Sequence, residues 1–129
     1  MTPKQQRRYS RQIKLTQVGE AGQAQLLRSK VLIVGMGGLG SPVSMYLAAA
    51  GIGHLTLTDY DQVDESNLQR QIAHSNANIG QLKASSARET LLRLNPETDV
   101  LALDYELDGD ALIDQAKKAD VLVDCNNFP

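Results

Sequence analysis

The chain of 129 residues contains one cysteine, no tryptophan and one phenylalanine. Cys125 alone cannot form an internal disulfide or supply a Cys-x-x-Cys metal site, so a reducing, cytoplasmic setting fits best. The first residues lack the apolar stretch of a signal peptide, and the longest apolar run is too short to span a bilayer. We therefore expect a soluble cytoplasmic protein with no membrane partner.

The chain also lacks an excess of charge of either sign. Thirteen Lys and Arg residues against fifteen Asp and Glu residues give a formal net charge of -2. This balance does not indicate a nucleic-acid or membrane surface. The length fits one domain, and 42% hydrophobic residues is a normal share for a globular core. The partners must therefore be inferred from local motifs.

What the chain does contain is a regular alternation of apolar, strand-like runs and helical patterns. Strands are predicted at 31–34, 54–58, 99–104 and 121–124, with helices between them at 41–50, 78–94 and 110–118. The order β-α-β-α-β-α-β predicts an α/β fold with a Rossmann-like, doubly wound, mainly parallel sheet. A further helix is predicted at 17–29. We therefore divide the single domain, 1–129, into a helical extension at 1–29 and a nucleotide-binding core at 30–129.

A glycine-rich loop joins the first predicted strand of the core to the first helix. Gly35, Gly37 and Gly40 have the spacing that permits a tight turn and lets backbone N–H groups approach a phosphate at a helix N-terminus. Gly38 removes a further side chain from the same space. Asp59 follows about 20 residues later, where a carboxylate can accept hydrogen bonds from ribose hydroxyls. Taken alone, these residues favour NAD over the alternative of a tight turn without a ligand.

Basic residues distinguish a dinucleotide from ATP. A triphosphate is strongly anionic and needs cationic side chains and a metal, whereas the pyrophosphate of a dinucleotide needs little beyond a loop and a helix dipole. Arg70 and Lys83 are placed so that they can return to the carboxyl ends of the strands, and Arg11 is a third candidate. Any one of them alone is more often a solvated surface side chain. Their joint occurrence with the loop favours ATP.

The joint pattern resembles that of a known family. Its motifs, in chain order, are Arg8-Tyr9-Ser10-Arg11-Gln12, Gly35-Met36-Gly37-Gly38-Leu39-Gly40, Asp59-Tyr60-Asp61-x-Val63, Ser66-Asn67-Leu68-Gln69-Arg70-Gln71 and Gly80-Gln81-x-Lys83. Together they resemble the ThiF/MoeB/HesA branch of the ubiquitin-activating-type adenylyltransferases over nearly the whole chain. The resemblance implies an enzyme that uses ATP and Mg²⁺ to adenylate the C-terminal glycine carboxylate of a small ubiquitin-like sulfur-carrier protein, with release of pyrophosphate.

The resemblance also implies roles for individual residues. The expected nucleotide-binding residues are Gly35, Gly37, Gly38, Gly40, Asp59, Asp61, Ser66, Asn67, Leu68, Gln69, Arg70 and Lys83. Among them, Asp59 would hold the ribose, while Asn67, Arg70 and Lys83 would bind the triphosphate. Arg11 would reach the phosphates of the neighbouring subunit's ATP, which implies a homodimer. Arg11, Arg70 and Lys83 are the expected catalytic residues, and no nucleophilic side chain is required.

Two departures from the family pattern limit the expected activity. Asn127 stands where the family has an aspartate that helps to bind Mg²⁺, and an amide brings no negative charge to the metal. Asp61 or Asp124 could contribute in its place. Family members are also longer, with a channel for the carrier tail and often two Cys-x-x-Cys zinc pairs. We therefore expect the chain to fold and to bind ATP weakly, without turning over by itself.

Two other functions stay open. An NAD(P)-dependent oxidoreductase domain would explain the glycine loop and Asp59, but it leaves Arg70, Lys83 and the 8–12 motif unexplained. A non-catalytic interaction module of the same fold would be consistent with Asn127. Within the family, carriers of the thiamine and molybdopterin pathways and a tRNA-modifying relative share these motifs, so the motifs do not specify the pathway. Specificity is expected to lie mostly outside this sequence, and a nucleic-acid partner is not expected.

Overall fold

Four parallel strands form the centre of the molecule in the computed structural model, which describes residues 1–125. The strands are β1 (Lys30–Val34), β2 (His54–Thr58), β3 (Asp99–Leu103) and β4 (Val121–Asp124). Their spatial order is β3-β2-β1-β4, and Leu32 at the middle of β1 lies in register with Thr56 and Leu122. The predicted α/β fold with a parallel, doubly wound sheet is confirmed.

The described part of the chain contains six α-helices that pack around the sheet. They are α1 (Pro3–Arg8), α2 (Ser10–Ile13), α3 (Gly19–Arg28), α4 (Gly40–Ala50), α5 (Lys83–Leu94) and α6 (Gly109–Lys118). Helices α4 and α5 cover one face, where Val31, Ile33, Leu57 and Leu91 belong to one buried core. The connection from β3 to β4 runs back across the sheet, so a right-handed crossover puts α6 on the other face, against β1. No helix within residues 1–125 is both long and apolar enough to cross a membrane.

Helix α5 begins at Lys83, so the start predicted at residue 78 was wrong. Asn78 instead ends a short 3₁₀ turn, Asn76–Asn78, where its side-chain oxygen accepts hydrogen bonds from the N–H and the hydroxyl of Ser75. Gly80 then adopts a φ of 89°, and residues 62 and 82 pair in an isolated antiparallel bridge. The helical pattern is interrupted because this side-chain cap and this non-local bridge satisfy the backbone in another way.

A buried polar network attaches the helical extension to the core. The hydroxyl of Tyr9 accepts a 2.7 Å hydrogen bond from the side-chain amide of Asn95, which also donates to a carbonyl in the last turn of α4. Gln12 and Gln23 both donate to the carbonyl of Ala50, the last residue of α4. Because buried polar groups must be paired, these bonds define where the extension docks. Helix α2 is therefore held at the C-terminal end of α4.

A buried histidine connects the glycine-rich loop to α5. Nε2 of His74 lies 2.8 Å from the carbonyl oxygen of Met36, and Nδ1 lies 2.8 Å from the hydroxyl of Ser86. Burial lowers the pKa of His74 and the nearby ammonium of Lys83 lowers it further, while hydrogen bonding to Met36 and the charge of Asp59 oppose the shift. The folded protein therefore favours the neutral imidazole.

We predict that replacing Gly51 with alanine destabilises the fold more than the same change at Gly80. Both glycines have a similar left-handed φ, 99° and 89°. An added Cβ at Gly51 would lie 2.5 Å from Nε2 of Gln23 and 2.8 Å from the ring of Tyr9, whereas at Gly80 it would meet nothing within 4 Å. Gly80→Ala should cost about 1–2 kcal/mol for the backbone alone. Gly51→Ala should cost a further ~1–3 kcal/mol for overpacking, measured by urea unfolding. Equal losses of the free energy of unfolding would show that Gln23 and Tyr9 move aside without cost, which would contradict the prediction.

We also predict that His74 makes the stability depend on pH. The unfolded chain binds a proton at the ordinary histidine pKa of about 6.5, and the folded chain does so only at lower pH. The stabilisation is therefore complete above that ordinary value and is lost as the pH falls toward the lower pKa of the folded state. Between about pH 7.5 and pH 5.5 the loss should reach at most about 1.4 kcal/mol.

Urea unfolding at the two pH values measures this loss. His74→Gln should reduce the difference between the two values, because glutamine does not titrate. The exposed His54, which lies 3.3 Å from Asp99, provides the control, and His54→Gln should retain the contribution of His74. A pH dependence that survives His74→Gln unchanged would contradict the prediction.

Candidate functional site

The largest concentration of predicted site residues surrounds a cavity of about 460 Å³ at the carboxyl ends of β1 and β2. The cavity is lined by Gly35, Gly37, Gly38, Leu39, Asp59, Asp61, Asn67, Arg70, Gln71, Lys83 and Cys125. In an open parallel sheet, the crevice outside the carboxyl ends at the point where the strand order reverses is where ligands bind. Here that point is β1, from which the chain proceeds first to β2 and later returns to β4. We call this cavity the phosphate cavity.

The glycine loop forms one wall of the phosphate cavity. Gly35 leaves β1 with a φ of 98°, and its N–H donates a 2.8 Å hydrogen bond to the carbonyl of Thr58 at the end of β2. Gly40 starts α4 against the carbonyl of Gly35, so closely that a Cβ would collide with it. Gly40 thus permits the close approach of helix and strand, and it does not line the cavity itself. Gly37 and Gly38 leave the backbone between them open to a ligand.

Asp59 fixes the loop to the end of β2. One carboxylate oxygen accepts a 2.7 Å hydrogen bond from the N–H of Met36, and the other accepts a 2.8 Å bond from the N–H of Asp61. Each carboxylate oxygen has a second lone pair, so the group can still accept a hydrogen bond from a ligand. The sequence predicted a ligand contact for Asp59, and the structure adds that the same carboxylate organises the loop.

The two cations predicted for this site both reach the phosphate cavity. The side chain of Arg70 lies beside the loop, because a Cβ added to Gly38 would be 3.9 Å from its Cδ and Nε atoms. Lys83 is only 8% exposed, although it is the first residue of α5. Among the described residues, no carboxylate is within ion-pair distance of its ammonium. A buried ammonium without a counter-ion favours an anionic ligand.

The turn that carries Arg70 is ordered by local hydrogen bonds. Asp64 accepts bonds from the hydroxyl and the N–H of Ser66, which lower the pKa of its carboxyl, and the charge of Lys83 lowers it slightly further. Asn67 accepts a bond from the N–H of Asp64 through its side-chain oxygen, which leaves its NH₂ group as the donor toward the cavity. Ser66, Leu68 and Gln69 do not line the cavity, and Ser66 instead donates to Asp64, whose side chain caps the turn.

A second cavity of about 470 Å³ adjoins the phosphate cavity and shares Asp59 and Asp61 with it. Its remaining lining residues are Val34, Thr58, Tyr60, Tyr105, Glu106, Leu107, Asp108, Leu112, Leu122 and Asp124. Apolar side chains from β1, β4 and α6 make it suitable for a flat, uncharged group. Of these residues, the sequence analysis considered only Asp124, as an alternative metal ligand. The only available signal was that 105–108 follow β3, whose carboxyl end lies at the same edge of the sheet.

Gln71 and Cys125 also line the phosphate cavity without having been predicted to bind a ligand. Gln71 is 4% exposed, its Nε2 would be 3.4 Å from a Cβ at Gly37, and its Oε1 has no hydrogen-bond partner within residues 1–125. Burial raises the pKa of the Cys125 thiol, and the charge of Asp124 raises it further. The thiol therefore stays protonated and is a poor nucleophile.

Arg11, the third predicted cation, does not line the cavity. Arg11 is exposed on α2, which is held at the C-terminal end of α4, whereas the glycine loop is at the N-terminal end. Helix α4 has 11 residues, so these ends are about 16 Å apart at 1.5 Å per residue. Arg11 thus lies at the opposite end of α4 from its own chain's cavity. The predicted metal ligand Asn127 lies outside the described residues.

Comparisons with known proteins identify the family of the chain. The model of the ThiF family matches residues 9–127. The chain is 48% identical over 120 residues to the sulfur carrier protein ThiS adenylyltransferase of Escherichia coli, covering 93% of this chain and 48% of that protein. It is 45% identical over 120 residues to the molybdopterin-synthase adenylyltransferase of Salmonella typhimurium, with 93% and 48% covered.

A solved structure has the same fold with a nucleotide present. The E. coli tRNA N6-threonylcarbamoyladenosine dehydratase TcdA, in complex with ATP, matches with a TM-score of 0.90 and 28% identity, covering 98% of this chain and 52% of that one. The chain spans about half the length of these relatives. Because the family model matches most of the sequence, the chain belongs to the ThiF family.

Proposed function

We propose that this chain binds ATP as the nucleotide-binding part of an adenylyltransferase. Its substrate would be the C-terminal glycine carboxylate of a small ubiquitin-like sulfur-carrier protein, which the sequence resemblance implies. The names of two relatives, an adenylyltransferase of a sulfur carrier protein and a molybdopterin-synthase adenylyltransferase, support this proposal. The observation that carries the proposal is the convergence of Arg70 and Lys83 on the cavity formed by the glycine loop. A carrier of the thiamine or molybdopterin type fits equally well.

The charges favour a triphosphate over a dinucleotide. A dinucleotide pyrophosphate can be satisfied by the loop N–H groups and the N-terminus of α4. Two cations in the same cavity, one of them buried and without a carboxylate partner in the described structure, exceed what a pyrophosphate diester requires. ATP carries three to four negative charges, so both cations have phosphate oxygens to pair with. The NAD(P)-dependent oxidoreductase alternative leaves both cations without a role.

The two cavities suggest how the nucleotide lies. The triphosphate would occupy the phosphate cavity beside Gly37, Gly38 and the NH₂ group of Asn67. The base would enter the second cavity, where apolar side chains provide a surface for stacking. Asp59 lines both cavities, so it stands where the ribose must pass. This placement uses the remaining lone pairs of its carboxylate.

The reaction needs positioning and charge stabilisation more than a protein nucleophile. A carboxylate oxygen of the carrier forms a bond to the α-phosphorus, and the bond from that phosphorus to the bridging oxygen breaks. Pyrophosphate leaves with the electron pair, so negative charge grows on the β-phosphate. Arg70 and Lys83 are placed to stabilise that charge in a site partly removed from water. The buried, protonated Cys125 has no part in this step.

The residues present also fit a bound Mg²⁺. Within residues 1–125 no group of three or more metal-binding side chains occurs. Mg²⁺ at a nucleotide site is held by one or two carboxylates, with the other ligands from phosphates and water. The exposed carboxylate of Asp61 lies where the two cavities meet and can provide such a ligand. When bound, Mg²⁺ would neutralise part of the phosphate charge.

We infer that Arg11 acts on the site of a second copy of this chain. Helix α2 is held near the end of α4 that is opposite the loop, about 16 Å along that helix, which argues against a contact within the same chain. Hydrogen bonds of Tyr9, Gln12 and Gln23 nevertheless hold α2 in place, as expected if Arg11 must be positioned for a contact with another chain. A homodimer with exchanged arginines would use this geometry in both sites.

Titration with MgATP tests the nucleotide assignment. Lys83→Met should raise the dissociation constant for ATP roughly ten- to a hundredfold, because a charge-assisted hydrogen bond is lost while the side-chain volume is kept. Arg93 is the matched control: it lies on the same helix, exposed and 3.8 Å from Glu89, so Arg93→Ala should leave the constant unchanged. Calorimetry with ATP and with NADH measures both. Tighter binding of NADH than of ATP would contradict the assignment of ATP as the nucleotide.

A mixing experiment tests the second-copy role of Arg11. Arg11→Ala should weaken ATP binding about tenfold, but only at protein concentrations where the wild-type chain dimerises. Adding an excess of the Lys83→Met chain, which keeps Arg11, should restore the affinity of Arg11→Ala for a fluorescent ATP analogue. If Arg11 acted within its own chain, the added chain would restore nothing. Sedimentation of the wild-type chain with and without MgATP gives the concentration range to use.

A further inference from the structure

The hydrogen bonds of His74 define one tautomer of its ring. A peptide carbonyl can only accept, so the contact of 2.8 Å to the oxygen of Met36 places the proton on Nε2. In the neutral ring Nδ1 is then an acceptor, and the hydroxyl of Ser86 donates to it at 2.8 Å. His74 is 6% exposed and Ser86 is fully buried. Ser86 of α5 thus holds the ring on one side, and on the other side the ring holds the carbonyl of Met36 in the glycine loop.

The carbonyl held by His74 belongs to the same peptide group as the N–H of Gly37. A trans peptide is planar, and its C=O and N–H point in opposite directions. All peptide bonds described here are trans. Fixing the Met36 carbonyl toward the buried ring therefore turns the Gly37 N–H away from the ring. Gly37 lines the phosphate cavity, and its N–H has no acceptor among the described residues.

The neighbouring peptide group is fixed as well. The N–H of Met36 donates to Asp59, and the Met36 side chain is completely buried. Because the N–H and the carbonyl of Met36 are both held, the N–H of Gly37 cannot turn toward His74 without breaking a buried hydrogen bond. A peptide flip at Gly37 would otherwise be easy, because glycine tolerates both backbone regions.

We propose that His74 is a positioning residue for nucleotide binding, which aims the N–H of Gly37 at a phosphate oxygen by holding the carbonyl of Met36. The proposal rests on the proposed function for the identity of the ligand. Its geometry is a property of the ligand-free chain and can be measured there. The tautomer with its proton on Nε2 belongs to the neutral ring, which burial and the charge of Lys83 favour, while hydrogen bonding to Met36 and the charge of Asp59 act in the opposite sense.

Three substitutions separate positioning from general stability. His74→Leu removes the donor and keeps an apolar side chain, and it should raise the dissociation constant for MgATP about tenfold, the size of one hydrogen bond. His74→Gln restores an N–H donor near the same place and should stay within about threefold of wild type. Ser86→Ala leaves the ring but removes the group that fixes its tautomer, so a smaller loss is expected. It serves as the second variant if His74→Leu does not fold.

Two controls accompany them. His54→Gln removes the other histidine of the chain, which is exposed, and should not change ATP binding. Ile52→Val weakens the core by about 1 kcal/mol at the turn between α4 and β2, where no cavity residue lies. It should lower the unfolding midpoint without changing the dissociation constant. If it weakens ATP binding as much as His74→Leu does, the effect is one of stability and the proposal fails.

Nuclear magnetic resonance of the ligand-free chain provides a readout that does not depend on ATP. The nitrogen shifts of the imidazole should show the proton on Nε2 of His74, and the Gly37 amide should exchange with solvent faster in wild type than in His74→Leu. A proton on Nδ1, or an unchanged Gly37 amide, would overturn the proposal. If wild type shows the expected signals but does not bind MgATP, the proposed function fails while the loop geometry stands. If wild type binds MgATP and His74→Leu binds it equally well, only the role of His74 is wrong.

Discussion

The candidate site depends on how one short backbone segment, Gly35 to Gly37, is held. The N–H of Gly35 is bonded to the carbonyl of Thr58, the N–H of Met36 to Asp59, and the carbonyl of Met36 to His74. All three partners come from later parts of the chain. Leaving a buried peptide group unpaired costs about 1–3 kcal/mol, so together these bonds leave the loop one low-energy arrangement. The loop is therefore shaped before any ligand arrives.

The two ends of the sheet use polar groups in opposite ways. At the amino-terminal end, Tyr9, Asn95 and Gln23 are buried and hydrogen-bonded. Asn95 donates to the hydroxyl of Tyr9 and Gln23 donates to the carbonyl of Ala50, and these bonds hold the extension in place. At the carboxyl end, the described structure leaves the ammonium of Lys83 without an ion pair and the Oε1 of Gln71 without a partner. Unsatisfied buried groups are costly. The presence of Lys83 and Gln71 beside one cavity is expected where a ligand completes them.

The sequence predicted the frame well, because the frame follows from local patterns. All four strands and the end of α4 at Gly51 lie within a residue of their predicted positions, since β-branched runs and a terminal glycine are strong local signals. The start of α5 was missed because a side-chain cap at Asn78 and a bridge between residues 62 and 82 replaced the expected first turn. Neither the cap nor the bridge follows from the spacing of apolar residues in the sequence.

The site was predicted in part for the same reason. The glycine loop, Asp59, Arg70 and Lys83 form ordered motifs, and the structure brings them to one cavity. Gln71 stood within a motif, but nothing in its type showed that it would be buried against Gly37. The second cavity combines residues of β1, β4, α6 and the segment after β3, so no single stretch of sequence could indicate it.

The sequence alone thus determined the class of fold and the order of its strands and helices, and it predicted an anionic ligand, because glycine spacing and the number of cations are properties of the chain. Only the tertiary structure decided which of those residues meet. It brought Arg70 and Lys83 to the loop and placed Arg11 at the opposite end of α4. It also joined His74 to Met36 across 38 positions of the sequence. Contacts at that separation depend on how the crossovers pack against the sheet, which no local pattern records.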